Sequence, residues 1–121
     1  MSLYNFKDLI VWQKAMQIVK VVYMLVRKLP KEETYSLSDQ MRRAAVSIPS
    51  NIAEGNERRS RKEYINFLSI AKGSKAELQT QLLICVDIGY LSESDIFEVN
   101  KLLDEVGKML NTMINKLLPN P

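Results

Sequence analysis

A chain of 121 residues with no His and one Cys, Cys85, excludes a disulfide framework, a Cys/His zinc site and any His-dependent catalytic triad. Its net charge of +3 hides an asymmetry: residues 1–75 carry 14 Lys/Arg against 7 Asp/Glu, net +7, and residues 76–121 carry 3 against 7, net −4. The split points to one basic and one acidic surface.

The length suits one domain, residues 1–121, with its own core. Lys7, Asp8 and Lys14 interrupt the first apolar run, so no signal peptide is expected. No uncharged run approaches the ~18 residues of a membrane helix, and a single apolar-flanked thiol suits a reducing, cytoplasmic compartment.

Asn5 suits an N-cap, with Asp8 in the first turn. Leu9, Trp12, Met16, Val19, Tyr23 and Val26 then repeat at heptad spacing, which predicts a helix over residues 7–29, stopped by Pro30. Ile10, Ile18, Val21 and Leu25 lie off that stripe, so the helix is apolar on more than one side. A polar connection over residues 31–35 follows.

Ser36 and Asp39 resemble a capping box and predict the start of helix two, which ends at Glu54 with Gly55 as its stop. On a wheel of ~100° per residue, Leu37, Met41, Ala44, Ala45, Ile48 and Ile52 form one core face. The opposite side, Arg43, Val46, Ser47, Ser50, Ala53 and Glu54, is mostly small, which implies a second packing surface there. Pro49 removes one helical hydrogen bond and predicts a kink. The alternative is a break at Ile48 with Pro49 opening a new helix; the in-phase stripe from Met41 to Ile52 favours the kink.

After a turn over residues 56–59, Ser60 and Glu63 form a capping box for helix three, which runs to Ile88 before Gly89. Its core face is Tyr64, Phe67, Ala71, Ser74, Leu78, Leu82 and Cys85, with Ile65, Leu68, Leu83 and Val86 on a second apolar side. Gly73 inside it implies compensation by a close helix approach. Ser92 and Asp95 start helix four, whose stripe is Ile96, Val99, Leu103, Val106, Leu110, Met113 and Leu117, ended by Pro119. No segment alternates with period two. Four long helices on short loops predict an all-α, up-down-up-down antiparallel four-helix bundle.

Catalytic signatures are missing: there is no Gly-rich phosphate loop, no HExxH and no CxxC. A di-iron bundle needs Glu-x-x-His pairs, which a chain without His cannot supply. Glu54 with Glu57, and Glu63 with Glu77, read as caps and surface ion pairs, and Cys85 as a buried, inert thiol. The expectation is a non-enzymatic protein with no cofactor and no metal. The positive signal is residues 58–62, where Arg58, Arg59, Arg61 and Lys62 surround a helix N-terminus, a setting suited to phosphate oxygens. Arg61, Lys72, Lys75 and Gln79 share one stripe of helix three, and Arg42 and Arg43 add charge near the start of helix two. Such a surface binds phosphate backbones with little base discrimination. Few aromatics interleave with it, which disfavours a row of stacked bases. The alternative is a solvated turn whose arginines pair with Glu54, Glu57 and Glu63.

The string Arg42-Arg43-Ala44-Ala45-Val46-Ser47-Ile48-Pro49-Ser50-Asn51-Ile52-Ala53-Glu54-Gly55 resembles the signature of the bacterial 23S ribosomal RNA intervening-sequence proteins. So do Phe67-Leu68-Ser69-Ile70-Ala71-Lys72-Gly73-Ser74, Glu77-Leu78-Gln79-Thr80-Gln81-Leu82, the opening Tyr4-Asn5-Phe6-Lys7-Asp8-Leu9 to Trp12, and Gly89-Tyr90-Leu91. The family is encoded within insertions in 23S ribosomal RNA genes and elsewhere in genomes. It is similar to the accessory proteins of diversity-generating retroelements, basic homopentameric barrels that bind nucleic acid and a reverse transcriptase. The resemblance implies a four-helix bundle, a homo-oligomer, a pentamer in particular, and RNA, DNA or a partner protein such as a reverse transcriptase as ligand. The basic run after the glycine is longer here than in the family pattern, so residues 58–62 rest on their own chemistry. The alternative function is a protein-interaction scaffold that recruits a partner without touching nucleic acid.

Overall fold

The computed structural model describes residues 5–119; Tyr4, which opens the family-like string, lies outside them. Four helices carry the fold: α1 (Ile10–Val26), α2 (Leu37–Asn56), α3 (Arg61–Asp87) and α4 (Glu93–Leu117), with short 3-10 turns at Phe6–Asp8 and Lys31–Glu33. No strand occurs among the described residues. α2 packs on α1 and α3, and α4 packs on α3 and α1, so the four helices close around one core. Residue pairs mark the register across three of the seams: Lys14 with Glu105 between α1 and α4, where Lys28 just past α1 also pairs with Asp95, Met41 with Cys85 and Ser47 with Ser74 between α2 and α3, and Gln79 with Asp104 between α3 and α4.

The first expected helix begins later than its cap. Asn5 does cap, accepting the Lys7 amide at 2.9 Å, but it starts the 3-10 turn. Leu9 is extended (φ −74°, ψ 124°), and α1 begins at Ile10. The turn is held on by the Phe6 ring, edge-on to Trp12 at 5.3 Å. The core stripe of α1 is also displaced. Val11, Ala15, Ile18, Val22, Leu25 and Val26 are buried, whereas Leu9, Trp12 and Val19 are half-buried and Met16 and Tyr23 are exposed. Of the expected heptad stripe Val26 is in the core, and Trp12, Met16, Val19 and Tyr23 form the flank of the helix.

α2 is one helix through Pro49, with no break at Ile48. Met41, Ala44, Ala45, Ile48 and Ile52 are buried as expected. Its start is held differently from a Ser36/Asp39 box. Glu33 supplies the acceptor: its Oε1 takes the Ser36 hydroxyl at 2.7 Å and the Leu37 amide at 3.4 Å, and its Oε2 takes the Tyr90 hydroxyl at 2.8 Å. These bonds hold the Glu33 carboxyl below the usual carboxylate range, Ser36 contributing most. Asp39 pairs instead with Arg43.

Gly55 is not the stop of α2. It is a buried residue inside the helix, which continues to Asn56 with Glu57 as C-cap. A Cβ at Gly55 would lie 2.8 Å from the Phe67 Cβ and 3.0 Å from the Tyr64 ring, so the glycine permits α3 to cross at contact distance. Beside it the buried Asn56 side chain accepts the Tyr64 hydroxyl at 3.2 Å. Gly89 does end α3. Its φ is +86°, and the Tyr90 amide reaches back to the Cys85 carbonyl at 2.8 Å in a Schellman closure.

In α3 the expected assignments of Phe67 and Leu68 exchange: Leu68 is fully buried and Phe67 half-buried. Gly73 meets nothing within 4 Å, so no close approach within the chain compensates for it. The close approach falls on Gly107 of α4, where the Lys75 side chain crosses. The α4 cap is a closed box between Ser92 and Asp95. Lys28 and the Ser92 amide hold the Asp95 carboxyl down to about 2.

These placements separate two glycines. Gly55→Ala should destabilise the fold by about 1–3 kcal/mol, since a Cβ there meets a neighbouring Cβ that cannot rotate away. Gly73→Ala should stabilise it by about 1 kcal/mol, since the site is open and helical. Urea denaturation of the two variants decides it; equal effects would contradict the crossing. For Asp95 the depressed folded pKa makes its contribution complete above the unfolded carboxylate value of about 4 and lost as pH falls through about 2. An acid titration of parent and Asp95→Asn should converge at the low end.

Candidate nucleic-acid interface

The basic turn is built by the crossing just described. α2 ends in stacked carbonyl bonds, the Arg58 amide closing on Gly55 at 3.1 Å. Ser60 then caps α3, its Oγ taking the Glu63 amide at 3.1 Å. The four basic side chains do not behave alike. Arg58 is anchored: its guanidinium donates to Glu54 Oε1 at 2.8 Å and stacks over the Phe67 ring at 4.7 Å. Arg59, Arg61 and Lys62 are exposed, with Glu57 and Glu63 interspersed. Of the α3 N-terminal amides that could meet an anion, one is already taken by Ser60.

The remaining expected site residues lie elsewhere. Arg42 is half-buried and donates to the Thr34 carbonyl at 3.1 Å, tying α2 to the preceding connection. Arg43 is exposed and paired with Asp39 at 2.9 Å. Both line an open hollow of about 460 Å³ with Tyr23, Val46 and Ser47. At ~1.5 Å per residue, the length of α2 puts them more than about 20 Å from the basic turn. Lys72 is exposed on α3; Lys75 is half-buried where its stem crosses Gly107. Gln79 donates to Asp104 at 3.1 Å, which ends the α3 stripe on acidic ground. Arg61, Lys62, Lys72 and Lys75 share α3, with Arg58 and Arg59 in the turn before it; Arg42 and Arg43 form a second, distant pair.

Two surfaces escaped the sequence reading. One is an apolar groove of about 290 Å³ between Trp12, Met16 and Val19 of α1 and Val46, Pro49, Ser50 and Ala53 of α2. The small outer face of α2 signalled half of it; the heptad stripe of α1, taken for core, is the other half. The second is a hollow of about 460 Å³ beside the basic turn, where Arg61, Lys62 and Asn66 border Ile65, Leu117, Leu118 and Pro119. No local pattern joins the start of one helix to the end of the next.

Cys85 is fully buried, 3.7 Å from the Met41 sulfur, and burial pushes its thiol pKa up, away from a reactive thiolate. Glu54 is engaged by Arg58, and among the described residues no three acidic or Cys side chains gather as a metal site.

A small four-helix protein with a basic turn between its second and third helices is the class these features define. The chain belongs to the family of 23S rRNA-intervening sequence proteins, whose model matches residues 7–112. It is similar, at 26% identity and TM-score 0.80, to the crystal structure of a protein with unknown function from the S23 ribosomal protein family from Bacteroides thetaiotaomicron VPI-5482; the match covers 87% of this chain and 98% of that one. Comparison with curated proteins gives no match. No helix of the described residues is long and apolar enough to cross a membrane.

The unequal arginines give a stability test. Arg58→Ala should cost about 1 kcal/mol, the sum of an exposed cation–π contact and one helical ion pair. Arg59→Ala should leave the urea midpoint unchanged, and a shared loss would place both in the same structural role.

Proposed function

We propose that this chain is a single-domain, non-enzymatic cytoplasmic protein that assembles into a homo-oligomer and binds nucleic acid through its basic turn. The reading takes the bundle as up-down-up-down and antiparallel, with α2 kinked at Pro49. The cross-seam pairs support the first part, and the hydrogen bond that Pro49 cannot donate supports the second. One observation carries the nucleic-acid reading: Arg59, Arg61 and Lys62 stand exposed around the start of α3, with no ion pair to an acidic side chain among the described residues, while Arg58 secures the turn beneath them. The family's tie to 23S rRNA genes supports a ribosomal RNA- or DNA-associated role, with RNA and DNA both kept as ligands.

Assembly is supported by the groove between α1 and α2. Met16 and Val46 are exposed beside Trp12 and Pro49, and contiguous apolar surface seldom stays in water. The pentamer is what the resemblance implies. The same groove favours the second reading, a scaffold that recruits a partner protein such as a reverse transcriptase.

If about six phosphates are engaged, affinity should fall roughly a thousandfold between 50 and 200 mM salt. Combined replacement of Arg59, Arg61 and Lys62 by Ala should abolish most binding with the fold intact; Arg58 is kept because it supports the turn. Gel shifts with duplex DNA and structured RNA check both statements, and unchanged binding by the triple variant hands the function to the scaffold reading. Light scattering should report an oligomer that Val46→Glu disperses. A monomeric parent at micromolar concentration rules the assembly out.

A further inference from the structure

We propose that the hollow beside the basic turn holds one unpaired nucleotide, its phosphate on Arg61 and Lys62 and its base against the apolar floor. This deepens the nucleic-acid reading and rests on it. A nucleotide has three chemical parts: an anionic phosphate, a flat face that avoids water, and an edge of donors and acceptors. The hollow offers a counterpart to each. Arg61 and Lys62 supply positive charge at its border. Ile65, Leu117, Leu118 and Pro119 supply an apolar floor, of which Leu118 is 47% exposed and so has surface left to cover. Asn66 supplies an amide with both a donor and an acceptor.

A duplex cannot use this arrangement, because its bases are stacked and paired. An unpaired base in a loop or bulge can swing out, lie against an apolar wall or a guanidinium plane, and present its pairing edge to an amide. The absence of interleaved aromatics argues against a row of stacked bases, not against a single base on an aliphatic floor. The volume of about 460 Å³ accommodates a base with its sugar. An acidic apolar peptide could also meet the charge, the floor and, through its backbone, the Asn66 amide; the nucleotide is preferred because the same helix start carries the phosphate-suited basic run on which this reading rests.

The test uses the full chain, an RNA hairpin with an unpaired loop carrying 2-aminopurine, the same hairpin as DNA, and a blunt RNA duplex with an equal number of phosphates. The expected result is about tenfold tighter binding of a hairpin than of the duplex, the scale of one stacked base, with a change in 2-aminopurine fluorescence. Which hairpin shows it separates RNA from DNA as the source. Leu118→Ser and Asn66→Ala should each erase the preference while duplex affinity stays at the parent value; both sites are exposed, so the fold tolerates them. Equal binding of hairpin and duplex, or a preference that survives both variants, overturns the proposal and leaves the basic-turn reading standing. Absence of any binding overturns both. An acidic peptide that binds the hollow and is not displaced by either hairpin assigns the site to a protein partner instead.

Discussion

The contact on which the rest of the structure depends is the approach of α3 to α2 at Gly55. Because that residue has no Cβ, the Phe67 Cβ and the Tyr64 ring can come within about 3 Å of where one would be. Three consequences follow from this one gap. The Tyr64 hydroxyl reaches the buried Asn56 side chain, which satisfies a polar group that would be costly left alone. Phe67 is drawn to the end of α2, where its ring can lie under Arg58. The turn between the helices is then short, and Arg59, Arg61 and Lys62 stand beside a packed, hydrogen-bonded base. The basic cluster is therefore a product of close packing beneath it. An open loop of the same composition would have to order itself before it could meet a phosphate, at an entropic cost to affinity.

How far the sequence could be read depends on whether a signal was local. Helix existence was legible because Ser60, Ser92, Gly89 and Pro119 act on their own neighbours, whereas α1 ends at Val26, before the stop expected at Pro30. The core face of α2 was legible because its other side is polar or small. α1 was not, because it is apolar nearly all round. Two adjacent stripes compete there, and tertiary packing chose the one containing the small Ala15 over the one containing Trp12. Gly55 was misread for a related reason: a glycine near a helix end can supply a left-handed turn or simply the absence of a side chain. Only the neighbour brought by α3 decides between them. The Glu33 cap on α2 was hidden because the acceptor sits before the serine, in the connection.

The candidate site shows the same division. The basic run was visible as composition, but the roles within it were not. Arg58 and Arg42 are spent on Phe67, Glu54 and the Thr34 carbonyl, and Lys75 lies along α4 over Gly107. The Arg58–Glu54 pair follows the i,i+4 rule and was among the readings of the sequence, but the Phe67 ring under Arg58 and the Gly107 gap under Lys75 lie on another helix, and no spacing rule pairs residue 75 with residue 107. The +7 of the first 75 residues thus overstates what a ligand meets. Part of it is structural charge whose loss would first be felt as instability.

That reduction bears on how the proposed function must work. One turn offers Arg59, Arg61 and Lys62, with Glu57 and Glu63 beside them to weaken the local field. Three cations release few counterions, so a single copy would bind a phosphate backbone feebly at physiological salt. Two or more turns on one assembly change the arithmetic: once one turn is seated, the next binds at a high effective concentration. The groove between α1 and α2 runs from Val46 to Ala53, whose carbonyl takes the Glu57 amide at the edge of the turn, but none of Arg59, Arg61 and Lys62 lines it. Under the proposed reading, assembly and binding are one design. Under it, the apolar flank of α1 would join the copies, and the repetition of the turn would make a weak basic site sufficient.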